Sequence, residues 1–169
     1  MDAEMITVGI LTISDKGSRG ERVDTSGDTI REMVTAMGAD VTKYDIVPDE
    51  RDLISLKLRE WCAEGLDLVV TTGGTGLGPR DVTPEATRDI IDREAPGMAE
   101  AMRAQSLQFT PMAMLSRAVV GTRGRTLIVN LPGSPKGVRE SLGVLLPVLP
   151  HAIDILKGVT GEHPPTQKA

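Results

Sequence analysis

The feature that most constrains this chain is a repeated local pattern. A short apolar, β-branched run is followed at once by small, polar and acidic residues. Residues 5–13 run into Ser14-Asp15-Lys16-Gly17-Ser18, and residues 41–47 into Pro48-Asp49-Glu50. Residues 66–72 run into Gly73-Gly74-Thr75-Gly76-Leu77-Gly78-Pro79-Arg80-Asp81, and residues 126–131 into Pro132-Gly133-Ser134-Pro135-Lys136. Such runs suit strands buried on both faces of a parallel sheet. Between them the spacing predicts helices over 25–38, 49–64 and 83–94, a further helix from Pro96, one from Lys136 and a last one over 150–158. In the first of these, Ile30, Met33, Val34 and Met37 share a face at helical spacing. In the second, Leu53, Leu56 and Trp61 are the inward candidates. Thr83-Pro84-Glu85 reads as a helix start, with Thr83 capping and Pro84 in the first helical position. This order predicts an α/β fold, a mainly parallel sheet with helices on both faces. Ligands of such sheets bind beyond the carboxyl ends of the strands. All four clusters should therefore meet at one crevice.

The glycine run admits two readings. Glycines let backbone N–H groups approach an anion, since no Cβ intervenes and positive φ carries no penalty. They also make ordinary flexible turns. Two familiar nucleotide motifs fail here. Gly73 and Gly78 have the P-loop spacing, but Pro79-Arg80 stands where Lys-Ser/Thr is required. Pro79 also takes the place of the third glycine in the dinucleotide fingerprint. Asp49 and Asp81 are the second signal. Asp49 could cap the helix that follows it, and Asp81 could belong to a turn. Alternatively the two carboxylates hold a magnesium ion together with phosphate oxygens. Lys16, Arg80 and Lys136 are candidate phosphate partners or solvated surface cations.

Composition removes several function classes. Nineteen Lys and Arg against 24 Asp and Glu leave a net charge of −5, the wrong sign for a general nucleic-acid backbone binder. The only aromatics, Tyr44, Trp61 and Phe109, offer little for stacking a flavin or single strands. That disfavours a flavodoxin-like carrier. The single cysteine, Cys62, supports neither an internal disulfide nor a multi-cysteine zinc site, and His151 and His163 do not suggest a metal pair. Met98, Met102, Met112 and Met114 read as core or subunit contacts. No apolar run approaches the ~20 residues of a membrane span. Residues 1–4 carry neither a basic nor an apolar leader region, so the expectation is a cytoplasmic protein. No repeat or linker divides the chain, which predicts one domain over residues 1–160 and a flexible tail over 161–169.

Several ordered motifs then carry a resemblance. Thr72-Gly73-Gly74-Thr75-Gly76, followed by Pro79-Arg80-Asp81-Val82-Thr83-Pro84-Glu85-Ala86, resembles the molybdopterin adenylyltransferase (Mog/MoaB) family. So do Ile13-Ser14-Asp15, Val47-Pro48-Asp49, Met114-Leu115-Ser116-Arg117 and Asn130-Leu131-Pro132-Gly133-Ser134-Pro135. Arg93-Glu94-Ala95-Pro96-Gly97-Met98 and Leu149-Pro150-His151-Ala152-Ile153-Asp154 are similar to the G domain of gephyrin. The resemblance implies a three-layer α/β/α molybdopterin-binding domain, a homotrimer, and MgATP-dependent adenylylation of molybdopterin with release of pyrophosphate. It places the two important aspartates, as Mg2+ ligands, at Asp49 and Asp81, and the pterin-phosphate loop at Gly73 to Gly76. Ser14, Asp15, Thr72, Ser116, Pro132, Gly133 and Ser134 match further pocket positions. Both acidic motifs are present here, which favours the catalytic branch over a non-catalytic carrier. A trimeric interaction scaffold is the other alternative. The resemblance also implies a separate downstream molybdenum-insertion protein, because the chain is too short to carry that domain.

Overall fold

The structure, a computed structural model, describes residues 4–159. The expected tail and His163 lie outside the described residues. Strand β1 (Thr7–Ile13) leads through a one-turn helix α1 (Asp15–Ser18) to helix α2 (Thr25–Ala36) and strand β2 (Asp40–Val47). Helix α3 (Arg51–Ala63), strand β3 (Leu68–Thr72) and helix α4 (Thr83–Arg88) follow. Strand β4 (Arg93–Glu94), helix α5 (Pro96–Leu107), a 3-10 turn (Pro111–Leu115) and strands β5 (Val120–Arg123) and β6 (Thr126–Leu131) come next. Helices α6 (Pro135–Leu145) and α7 (Leu149–Leu156) complete the fold.

Among the described residues the strands form one six-stranded sheet in the order β2-β1-β3-β6-β5-β4. Strands β2, β1, β3 and β6 run parallel, and β5 reverses against both β6 and β4. The fold is therefore the expected α/β sandwich with a mostly parallel sheet. The chain leaves β1 toward β2 on one side and returns to β3 on the other. The carboxyl ends of β1 and β3 thus flank the topological switch point, where a crevice opens in sheets of this kind.

Alternation along the strands divides the core between the two faces. Val8, Ile10, Leu68, Val70, Leu127 and Val129 pack toward α2, α5, α6 and α7. Leu11, Ile13, Val69 and Ile128 pack toward α3 and α4, with Ile54, Leu58, Trp61 and Ala86 facing them. Gly9 has no side chain because Trp61 lies over it: a Cβ there would meet the indole at 2.7 Å. Ile54, Leu58 and Trp61 follow the i, i+4, i+7 stripe. Leu53 and Leu56, expected to face inward, are exposed. In α2, Ile30 and Val34 are buried while Met33 and Met37 pack at the margin.

The helix expected over 83–94 ends at Arg88, and Arg93–Glu94 pairs with β5 instead. Thr83 is not its cap. Val82 occupies that position without a side-chain bond, and Pro84 falls one residue inside the first helical position. At the far end of the sheet, Asp67 accepts the Thr7 N–H at 2.9 Å and pairs with Lys157 at 3.0 Å, fastening α7 below the strands.

Candidate active site

The loop after β3 is shaped by two consecutive residues in the left-handed region, Gly73 (φ +99°) and Gly74 (φ +68°). A Cβ on Gly73 would fall on the carbonyl oxygen of Ile13 at the end of β1, so space as well as φ demands glycine. A Cβ on Gly74 would fall on Thr83 Oγ1 and lie 3.1 Å from Asp49 Oδ1. Thr83, freed from capping, donates its hydroxyl to the Gly73 carbonyl at 2.9 Å and its N–H to the Gly74 carbonyl at 3.2 Å. On the other side, Gly73 N–H donates to Leu131 O at 3.1 Å and Thr72 Oγ1 to Pro132 O at 2.6 Å. Gly133 sits so close that its Cβ would touch the Gly73 Cα at 3.4 Å. The glycine loop and the loop after β6 are thus locked backbone to backbone. Within the described residues, the N–H groups of Gly74, Thr75 and Gly76 take no partner. Unpaired donors in a loop of this kind suit an anion.

The carboxylates stand beside this loop. Asp49 does not cap α3; Glu50 takes that position. Asp49 Oδ2 accepts the Asp15 N–H at 3.0 Å, and Asp15 Oδ1 accepts the Asp49 N–H at 3.0 Å. This reciprocal pair fixes the loop after β1 to the loop after β2. Arg80 then grips Asp15 through two nitrogens at 3.0 and 3.1 Å and reaches Glu50 at 2.9 Å. The Arg80 bond and the Asp49 N–H hold the Asp15 carboxyl below its ordinary range. Asp49 moves the other way. Burial raises its pKa, the charges of Asp15 and Asp81 push further up, and the Asp15 N–H and Arg80 oppose them without prevailing. Asp81 Oδ2 accepts the Gly78 N–H at 2.9 Å.

Two cavities meet at the glycine loop. The larger, about 610 Å3, is lined by Ser14, Asp24, Asp49, Gly74, Asp81 and Gly133 among others. The smaller, about 330 Å3, is lined by Thr75, Gly76, Arg103, Ser116, Pro132 and Lys136 among others. Thr72, Gly73 and Gly74 border the first, Thr75 and Gly76 the second, and Ser134 borders both. The structure therefore gathers the four sequence clusters at one end of the sheet, split between two adjoining chambers. Asp15 lies behind Asp49, and Lys16 is exposed. The serines serve their own backbone: Ser14 Oγ and Ser134 Oγ accept the Gly17 and Gly137 N–H groups, capping α1 and α6. Ser116 Oγ accepts the Ala118 N–H at 3.3 Å.

Asp24 was not anticipated as part of this wall. It caps α2 through the Gly27 N–H at 2.9 Å and accepts the hydroxyls of Thr12, at 2.6 Å, and Tyr44. The one signal for it in the sequence is an Asp-Thr-Ser start to a helix, which marks a cap and says nothing of a ligand.

Among the described residues no three His, Cys, Asp or Glu side chains gather as a self-sufficient metal cage. Asp49 and Asp81 each use one oxygen on a backbone N–H, and each has a second oxygen with no partner. Their charges also interact. This set fits Mg2+, which is commonly held by one or two carboxylates with phosphate oxygens and water completing the shell.

Comparison with known proteins gives a consistent result. A family described as "Probable molybdopterin binding domain" matches residues 9–151. The chain is 44% identical to the molybdopterin adenylyltransferase of Helicobacter pylori (strain J99) over 92% of this chain and 90% of the relative. It is 45% identical to gephyrin of Dictyostelium discoideum over 88% of this chain and 22% of gephyrin. The crystal structure of the molybdopterin biosynthesis enzyme MoaB from Thermus thermophilus is 61% identical. It superposes with a TM-score of 0.87 over 91% of this chain and 98% of that one.

Proposed function

The chain belongs to the molybdopterin-binding family of molybdenum cofactor biosynthesis, and from that premise we propose that it is a nucleotidyltransferase that adenylylates molybdopterin. The observation that carries this reading is the partition of the site. One glycine loop with unpaired N–H groups separates two chambers, and the larger is lined by Asp49 and Asp81, each with an oxygen left over, beside the fully engaged Asp24. A transfer between two phosphate-bearing substrates needs that layout.

In the proposed reaction an oxygen of the molybdopterin phosphate attacks the α-phosphorus of ATP. The bond from that phosphorus to the β-phosphate bridging oxygen breaks, and pyrophosphate leaves with the electron pair. The attacking phosphate is already ionised near neutral pH, so the protein needs no strong general base. Its task is to align two polyanions and balance charge as the leaving group separates. The N–H groups of Gly74, Thr75 and Gly76 hold and orient the attacking phosphate. Asp49 and Asp81 would hold Mg2+, with Asp15 fixing Asp49 from behind. When bound, Mg2+ supplies the positive charge that an acidic protein lacks at a site for two polyanions. The family resemblance adds a homotrimer and transfer of the product to a separate molybdenum-insertion protein.

The test is incubation of the protein with molybdopterin and MgATP. Adenylyl-molybdopterin and pyrophosphate should form in equal amounts. Asp81→Asn should keep its thermal melt and its pterin affinity while turnover falls roughly 10²–10³-fold, the scale for removing one electrostatic contact to a transition state. Pterin binding without pyrophosphate release in the wild type would identify a carrier instead.

A further inference from the structure

Arg117 lies between Ser116, which lines the smaller chamber, and β5. It is directed at the back of the glycine loop. Its N–H donates to the Thr75 carbonyl at 2.8 Å, its Nε to the Gly76 carbonyl at 2.8 Å, and its Nη2 to the Asp81 carbonyl at 2.8 Å. Nη1 pairs with Glu85 Oε1. One residue therefore grips both ends of the stretch from Thr75 to Asp81. That stretch contains Gly76 and Gly78; apart from Arg117 it is fixed from outside by the Arg80 side chain on Asp15 and Glu50, and from within by the bonds from Gly78 N–H to the Asp81 carboxylate at 2.9 Å and from Asp81 N–H to Gly78 O at 3.0 Å.

The consequence follows from peptide planarity. In a trans peptide the carbonyl of one residue and the N–H of the next point in opposite directions. The Arg117 backbone N–H on the Thr75 carbonyl turns the Gly76 N–H away from it, and the guanidinium on the Gly76 carbonyl turns the Leu77 N–H away; the second of these depends on the side chain. Holding the Asp81 carbonyl likewise fixes the backbone that bears the Asp81 carboxylate. Glu85 completes the arrangement. Burial works against its ionisation, and the bond to Arg117, a bond to its own backbone N–H and the charges of Arg117 and Arg51 together more than offset this, so its carboxyl lies below the ordinary range. Its other oxygen, Oε2, is buried without a partner. A carboxylate kept at the expense of an unsatisfied oxygen is one held for its ion pair with Arg117.

We propose that Arg117 is a positioning residue: it sets the direction of the loop N–H groups and the place of the Asp81 carboxylate, with Glu85 as its fixed counter-charge. The catalytic half of this inference rests on the adenylyltransferase reading; the loop-ordering half does not. Lysine would keep the charge, but a point ammonium cannot span Gly76 O, Asp81 O and Glu85 as a planar fork does.

The test compares wild type with Arg117→Lys, Arg117→Ala and Glu85→Gln. In ligand-free protein, hydrogen exchange of the Gly78 and Asp81 amides, the two bonded within this stretch, should accelerate about tenfold or more in Arg117→Lys, with β3 and β6 amides unchanged. In the adenylylation assay, the Mg2+ concentration for half-maximal rate should rise about tenfold and kcat should fall, with KM for molybdopterin changing less. A merely structural role predicts a lowered melt, uniformly faster exchange and an unaltered Mg2+ dependence, and that pattern would overturn the proposal. So would rescue of loop protection by lysine. If the wild type does not adenylylate, the functional reading fails and the exchange experiment alone decides the role of Arg117. If Arg117→Ala does not fold, Arg117→Lys and Glu85→Gln carry the test.

Discussion

Asp49 is held by opposing demands. Burial and the neighbouring charges of Asp15 and Asp81 favour its neutral form, while the Asp15 N–H and Arg80 favour the carboxylate. The net shift is upward, so the folded protein binds this proton more tightly than the unfolded chain does. Stability from that preference is fully present below the ordinary carboxyl pKa of about 3.9 and is lost as pH rises through the raised folded value. Asparagine mimics the protonated form and still accepts the Asp15 N–H. Asp49→Asn should therefore melt at a higher temperature than wild type at pH 7, and the two melts should converge as the pH falls below 4. Asp15 titrates with the opposite sign; it is common to both proteins, so only its coupling to Asp49 enters the comparison, and relief of that repulsion in the variant acts in the same direction. The same substitution should remove adenylylation, because the site needs the charge that the fold resists. Added Mg2+ should raise the melt of the wild type more than that of the variant. A variant less stable than wild type at pH 7 would show that the carboxylate stabilises the apo fold.

At the scale of elements, α3 shows what the pattern of apolar residues can and cannot decide. Helical spacing admits a stripe through Leu53 and Leu56 or one through Ile54, Leu58 and Trp61, and only the rotation of the helix on the sheet selects between them. Ile54 is fully buried while Leu53 is 46% exposed. Ile54→Ala should cost about 2–5 kcal/mol and Leu53→Ala less than about 0.5 kcal/mol, as measured by denaturant unfolding. Equal losses would mean that the helix is rotated. The parallel strands β1, β3 and β6 were legible because each is a buried, β-branched run that stops at a glycine, proline or acidic cluster; β2, at the edge and mostly exposed, carries the same stop but only a mixed pattern. The antiparallel extension was not. Arg93–Glu94 is a two-residue strand of charged residues, set by pairing with β5 and carrying no signal of its own. Val120–Arg123 contains Gly121, a weak strand former, which is small because Ile91 and the Arg93 carbonyl crowd it. The site divides in the same way. Glycines and aspartates after strands announce themselves by type and position. The role of Thr83 as a tie to Gly73 and of Arg117 as a brace depends on side-chain direction across distant segments, which spacing does not encode.

At the scale of the molecule, the proposed reaction requires a chain of net charge −5 to bring two anionic substrates to one end of its sheet. The acidic side chains near that end are largely engaged locally, Asp15 and Glu50 by Arg80, Glu85 by Arg117, and Asp24 by hydroxyls. The opposite problem arises on the surface beside the smaller chamber. From the end of α5 through the 3-10 turn, Leu107, Phe109, Met112, Met114 and Leu115 are all exposed, Met112 at 63% and Met114 at 69%. A contiguous apolar strip of this kind marks a surface that another protein covers. In the proposed homotrimer a neighbouring copy would cover it. Light scattering should give a mass three times that of the chain. Met112→Asp with Met114→Asp should reduce it to that of one chain. Because both side chains are mostly exposed to solvent, the double variant removes little packing within the protomer, and its circular dichroism should match wild type. A trimer that survives the substitutions would move the interface elsewhere, and a monomeric wild type would remove the trimer altogether. Met112 and Leu115 also line the smaller chamber; if MgATP takes the carboxylate chamber and the pterin the smaller one, the monomeric variant should bind pterin more weakly while the carboxylate chamber, which neither residue lines, keeps its affinity for MgATP.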